Sequence, residues 1–125
     1  MFEACLPYET TVVELAGRVE RETFPGRPDY ESTEKGDEPE TYWVLHFSRP
    51  VCVREMRPLY HASSTNVTRM QLMLSPGQYD TYGALVGQRV VASGTLMRWI
   101  TGHHHTPVLL QVQGLRAATA ADTLP

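Results

Sequence analysis

The sequence predicts an all-β domain with one short helix, of the five-stranded oligonucleotide/oligosaccharide-binding (OB-like) barrel class; a small β-sandwich is the alternative. Three observations lead there. Nine glycines and nine prolines in 125 residues demand frequent turns and hence short elements. Apolar residues recur mostly with period two, and only one stretch has helical spacing. The order of the elements, three strands, a helix and two closing strands, is that of the barrel.

The first strand is Val13–Glu20. Val13, Leu15 and Val19 fall on one side and Glu14, Arg18 and Glu20 on the other, with Gly17 inside the apolar row. Residues 24–40 then carry Pro25, Pro28, Pro39, Gly26 and Gly36, which marks a long loop. Tyr42–Phe47 is aromatic and β-branched, hence a strand. Arg49-Pro50 breaks it, and Val51–Val53 resumes as its hairpin partner. Residues 57–66 are rich in turn formers, and Thr68, Met70, Leu72 and Leu74 alternate to make 67–74 the next strand. Ser75-Pro76 starts the helix, a serine able to cap followed by proline at the first helical position, and Gly87 can end it. Val90–Trp99 is a long strand with Gly94 in its interior, Thr101–Thr106 turns the chain, and Pro107–Gln113 closes the sheet. Gly17 and Gly94 mark where two barrel strands coil most sharply. Residues 1–116 read as a single domain and 117–125 as a disordered tail.

The composition, 42% hydrophobic and 20% charged, is that of a globular chain. No run of ~18 apolar residues is present, so no helix spans a membrane. Eleven basic residues against fourteen acidic ones argue against a nucleic-acid partner. The acids are concentrated: Asp29, Glu31, Glu34, Asp37, Glu38 and Glu40 face Lys35 alone in residues 29–40. Such a block reads as a solvated loop, or as carboxylates presented to a cation or basic partner.

In the barrel class, ligands meet the loops joining strands 1–2 and 4–5, here 24–40 and 100–106. The second holds His103, His104 and His105. In extended backbone the outer two point to one side and the middle one to the other. His103 and His105 could share a zinc-type metal with His46, His61 or a 29–40 carboxylate as further ligand. His103, His104 and His105 could instead contact an anionic or polar ligand, together with Trp99 beside the turn and Tyr42 on the barrel face. The plainer reading is that the imidazoles brace a tight hairpin through hydrogen bonds. Trp43 reads as a core anchor. Phosphate loops, dinucleotide fingerprints and nucleophile elbows are absent, and Ser63 and Ser64 have no spacing relation to His61 that suggests a nucleophile.

Cys5 and Cys52 belong to no CxxC pair, which leaves buried thiols in a reducing compartment or one bridge in an oxidising one. Phe24-Pro25-Gly26-Arg27-Pro28-Asp29-Tyr30-Glu31-Ser32, Tyr42-Trp43-Val44-Leu45, Val91-Ala92-Ser93-Gly94-Thr95-Leu96 and Thr101-Gly102-His103-His104-His105-Thr106-Pro107 together resemble a bacterial family, domain of unknown function 4431. The resemblance spans about residues 5–115. It implies a bacterial, usually exported protein, periplasmic or secreted, whose leader lies outside this chain, and it favours a Cys5–Cys52 disulfide. It supplies no catalytic residues. Three functions follow as expectations. The first is an envelope domain that binds a small-molecule or protein ligand through the 24–40 and 100–106 loops. The second is a metal-dependent enzyme with His103 and His105 as ligands and Asp37 or Glu38 as general base. The third is an inhibitor or immunity-type protein against an envelope enzyme.

Overall fold

The computed structural model describes residues 5–8, 11–54 and 63–122. Alternating apolar residues build six strands: β1 (Leu6–Pro7), β2 (Val13–Pro25), β3 (Pro39–Arg54), β4 (Ser63–Met73), β5 (Arg89–Arg98) and β6 (Val108–Ala117). One helix, α1 (Pro76–Tyr82), sits between β4 and β5. β2 pairs with β3 and β5, β3 with β4, β4 with β6 and β6 with β5, which closes a five-stranded barrel carrying β1 as an extra strand. The β4–β6 pairing is parallel and the other four are antiparallel. The predicted fold class is thus the observed one.

Leu15, Val19, Leu45, Met70, Leu72, Leu96 and Leu110 fill the barrel. Trp43 is buried as expected and meets Tyr79 of α1 edge to face, with ring centroids 5.1 Å apart. Ser75 and Pro76 start α1 as predicted, with the Ser75 N–H donating to Gln78 Oε1. The helix is shorter than its spacing suggests. It passes into a 3-10 turn at Gly83–Leu85, and Gly87, at φ 86°, reverses the chain into β5.

Several boundaries differ from the sequence reading. β3 is one strand through Arg49-Pro50, with irregular pairing to β4 between His46 and Val51 in place of a hairpin. A proline is tolerated where its missing N–H falls at such an irregularity. β2 runs on to Pro25 and β3 starts at Pro39, so the loop between them shrinks to residues 26–38. Ala117 is the last residue of β6. Beyond it the Ala118 N–H donates to the Arg89 carbonyl, and Asp122 holds the Arg116 guanidinium through both carboxylate oxygens. β1 was not anticipated, because two residues carry no periodicity. It lies parallel to Val53–Arg54, and the Cys5–Cys52 disulfide fastens the segment to β3.

The two strand glycines stand where backbones approach. A Cβ on Gly17 would press on the His46 carbonyl, and one on Gly94 would overlap the Gln111 carbonyl oxygen. Gly94 also sits at the step where β5 and β6 change register. Backbone cannot withdraw as a flexible side chain can, so Gly94→Ala should cost about 1–3 kcal/mol in chemical denaturation. A loss below about 0.5 kcal/mol contradicts the close approach.

Candidate functional site

Val44, Gln71 and Leu109 lie opposite one another across β3, β4 and β6 and so share a face, the one turned away from the barrel interior. All three are nevertheless fully buried. The segment 99–107 connecting β5 to β6 folds back over them. Its anchor is the Gln71 amide, whose Nε2 donates to the His103 carbonyl (2.9 Å) and whose Oε1 accepts from the His105 N–H (2.7 Å). The Gln71 N–H donates to Thr106 Oγ1, which in turn donates to the Val108 carbonyl. A buried amide left unpaired costs about 1–3 kcal/mol, so these bonds hold the turn in one place.

The three histidines divide as the extended-chain argument requires. His104 turns inward, is buried, and accepts the Ile100 N–H on Nδ1 (3.1 Å). Its role is bracing. His103 and His105 turn the other way and converge on Glu40. His103 Nδ1 lies 2.6 and 2.9 Å from the two carboxylate oxygens, and His105 Nε2 is 3.8 Å from Oε1. The His105 ring stacks flat on Phe24 at 4.4 Å, with Tyr42 tilted against it at 5.5 Å. Its Nε2 is buried without a hydrogen-bond partner. Burial lowers the pKa of His104 and also, despite the neighbouring carboxylate, that of His105. Burial and then Glu40 raise that of the Tyr42 phenol.

The facing wall is the 26–38 loop, and Asp37 organises it. Its carboxylate accepts from the N–H groups of Asp29, Glu31 and Ser32 at 2.9–3.0 Å, and these bonds lower its pKa. Asp37 is therefore occupied as a loop anchor and is not placed as a general base. Tyr30, in the left-handed region at φ 55°, lays its ring against Gly102, where a Cβ would come within 2.8 Å of Cζ. Its ring edge meets His103 at 5.7 Å. Tyr30 and Glu40 together join the two loops into one surface.

His46 is not brought to this cluster. It lies six residues farther along β3, about 20 Å at strand rise, with Nε2 2.7 Å from Glu22 Oε1. Glu22 also binds Arg69, whose guanidinium stands 5.8 Å over the Phe24 ring. Among the described residues no three His, Cys, Asp or Glu side chains form a group that could hold a metal ion. His61 lies outside the described residues, and of Ser63 and Ser64 only the backbone is described. Trp99 and Ile100 flank the turn and are 57% and 72% exposed. Glu38 is exposed on the 26–38 loop. The sequence reading did not single out Phe24, Tyr30 and Gln71. Gln71, between the inward Met70 and Leu72, reads in the sequence as an ordinary outward polar residue, so its burial carries no local signal.

Residues 69–116 match the family described as Domain of unknown function (DUF4431). The match covers 48 of the 125 residues. The DUF4431 match holds the last five residues of β4, all of α1 and β5, the histidine turn and nearly all of β6, so Gln71 and the turn it anchors fall within it. Glu40, Tyr30 and Phe24, which complete the cluster, precede it. A comparison with curated proteins gives no match.

The lowered pKa values set a pH dependence. His104 and His105 are disfavoured as cations in the fold, so the unfolded chain binds more protons on acidification. Stability contributed by their neutral forms is complete above the unfolded value, about 6.5, and falls as pH drops from there toward the folded values. Urea unfolding at pH 7.5 and 5.5 should show the lower midpoint at 5.5, with both rings half-protonated below 6.5 by NMR. A His104 or His105 ring that titrates above 6.5 contradicts this assignment.

Proposed function

We propose that the protein is a non-enzymatic binding domain of the bacterial envelope that takes its ligand on the outer β2–β3 face between the 26–38 loop and the histidine turn. One observation carries the reading. The turn is already closed by Gln71, Thr106 and His104, so the side chains of His103 and His105 are not needed to fold it. They are held instead against Glu40, Tyr42 and Phe24, with His103 half exposed. Rigid placement of polar groups around an aromatic floor is what a preorganised binding surface requires. The Cys5–Cys52 disulfide supports an oxidising compartment, periplasmic or extracellular. Among the described residues no helix is long and apolar enough to cross a membrane.

A small-fragment library screened against the isotope-labelled protein by NMR tests the reading. Hits should shift Glu40, Tyr42, His103 and His105 together. Hits that scatter over the barrel and spare this face, or no hits at all, contradict it.

A further inference from the structure

The ligand face contains two carboxylates in matched settings. Along β2 stand Glu22 and Phe24, and along β3 stand Tyr42 and Glu40, with Glu22 opposite Tyr42 and Phe24 opposite Glu40. Over these four positions each strand gives the face one carboxylate and one aromatic ring, in inverted order; Glu20, the next residue of β2 on this face, reaches His46. At the Glu22 corner the chain supplies its own cation. Arg69 pairs with Glu22 while its guanidinium lies over Phe24. At the Glu40 corner it supplies none: among the described residues, the groups that reach Glu40 are the imidazoles of His103 and His105 and the Tyr42 hydroxyl.

We propose that the Glu40 corner takes a cationic nitrogen group of the ligand, an alkylguanidinium or alkylammonium, seated as Arg69 is seated on Glu22. This deepens the binding-face reading and rests on it. A carboxylate reached by the Tyr42 hydroxyl offers such a group a charged acceptor next to an aromatic ring. His103 Nδ1 faces the carboxylate from a half-exposed ring, so a stronger donor reaching Glu40 would replace the His103 contact. Asp29, Glu31, Glu34 and Glu38, exposed on the adjoining loop, extend a negative potential over the entrance that favours cations and repels anionic ligands. A planar guanidinium suits the two-oxygen geometry better than an ammonium does.

The test titrates the labelled full chain with methylguanidinium chloride and, separately, with the blocked pentapeptide Gly-Gly-Arg-Gly-Gly. Both should shift the His103 and His105 rings and the Tyr42 amide, at one equivalent. Tighter binding of the peptide points to a protein or peptide as the source of the cation, and equal binding to a free small amine. Glu40→Gln should weaken either probe by about tenfold or more, and Glu34→Gln by less than about twofold. Where Glu40→Gln does not fold, Arg69→Met serves: it leaves Glu22 with an imidazole partner alone, His46, as Glu40 has His103, and should raise the methylguanidinium stoichiometry to two. Silent wild-type resonances, binding that survives Glu40→Gln, an unchanged stoichiometry in Arg69→Met, or shifts produced by zinc chloride alone each overturn the proposal. Fragment hits on this face without a guanidinium response reject the ligand class and leave the face standing. Silence to both rejects the face as well.

Discussion

The amide of Gln71 sits on the outside of a barrel and yet is wholly removed from water. Without it, the connection from β5 to β6 would be a loop projecting from the barrel end, as turn residues such as Thr101, Gly102 and Thr106 suggest. With it, the turn lies over Val44 and Leu109, and two of its backbone groups find partners on a side chain of β4. The histidines of the candidate site inherit their positions from that attachment. His104 can turn inward because the turn is seated. The inward turn of His104 commits His103 and His105 to the opposite side, where Glu40 meets them. A buried amide satisfied at both ends is stiff, because releasing one bond leaves the other group dehydrated and unpaired.

A second anchor works in the same way from the opposite wall. Asp37 gathers three backbone N–H groups and converts an acidic stretch into a fixed loop, which in turn brings Tyr30 onto Gly102. Two loops from distant parts of the chain are thus each organised by one buried polar side chain. They meet through one carboxylate and one tyrosine ring. The surface between them is made mainly of groups whose positions are fixed by contacts elsewhere, a property of binding sites that hold their shape before the ligand arrives.

Much of the barrel was legible because period-two alternation is a direct imprint of a strand with one dry face. Val13, Leu15 and Val19 announce β2, and Met70, Leu72 and Leu74 announce the buried side of β4. The glycines at 17 and 94 were legible for a related reason, since a missing Cβ inside an apolar row implies that something lies too close for one. The ends of β2 and β3 were not legible. Beyond Val19 these strands form a two-stranded ribbon whose face is lined by Glu22, Phe24, Glu40 and Tyr42, and a ribbon with such a face has no apolar alternation to read. The histidine site was half legible. Strand geometry alone assigns His103 and His105 to one side, but the choice of Glu40 over Asp37 or Glu38 depends on which carboxylate the loop has already used for itself. His46 was misplaced as a candidate ligand because strand register sets its distance from the turn, and register is not a local property of sequence.

The central claim is that the histidine turn is fixed to the outer face of the barrel by Gln71 before any ligand binds. Amide hydrogen exchange at His105 measures this most directly, because its N–H donates to the Gln71 side chain and to nothing in a regular ladder. The account predicts that the His105 amide exchanges as slowly as those of β4, and far more slowly than the neighbouring Gly102. Exchange at His105 as fast as at Gly102 would show the turn to be loose and would contradict the account.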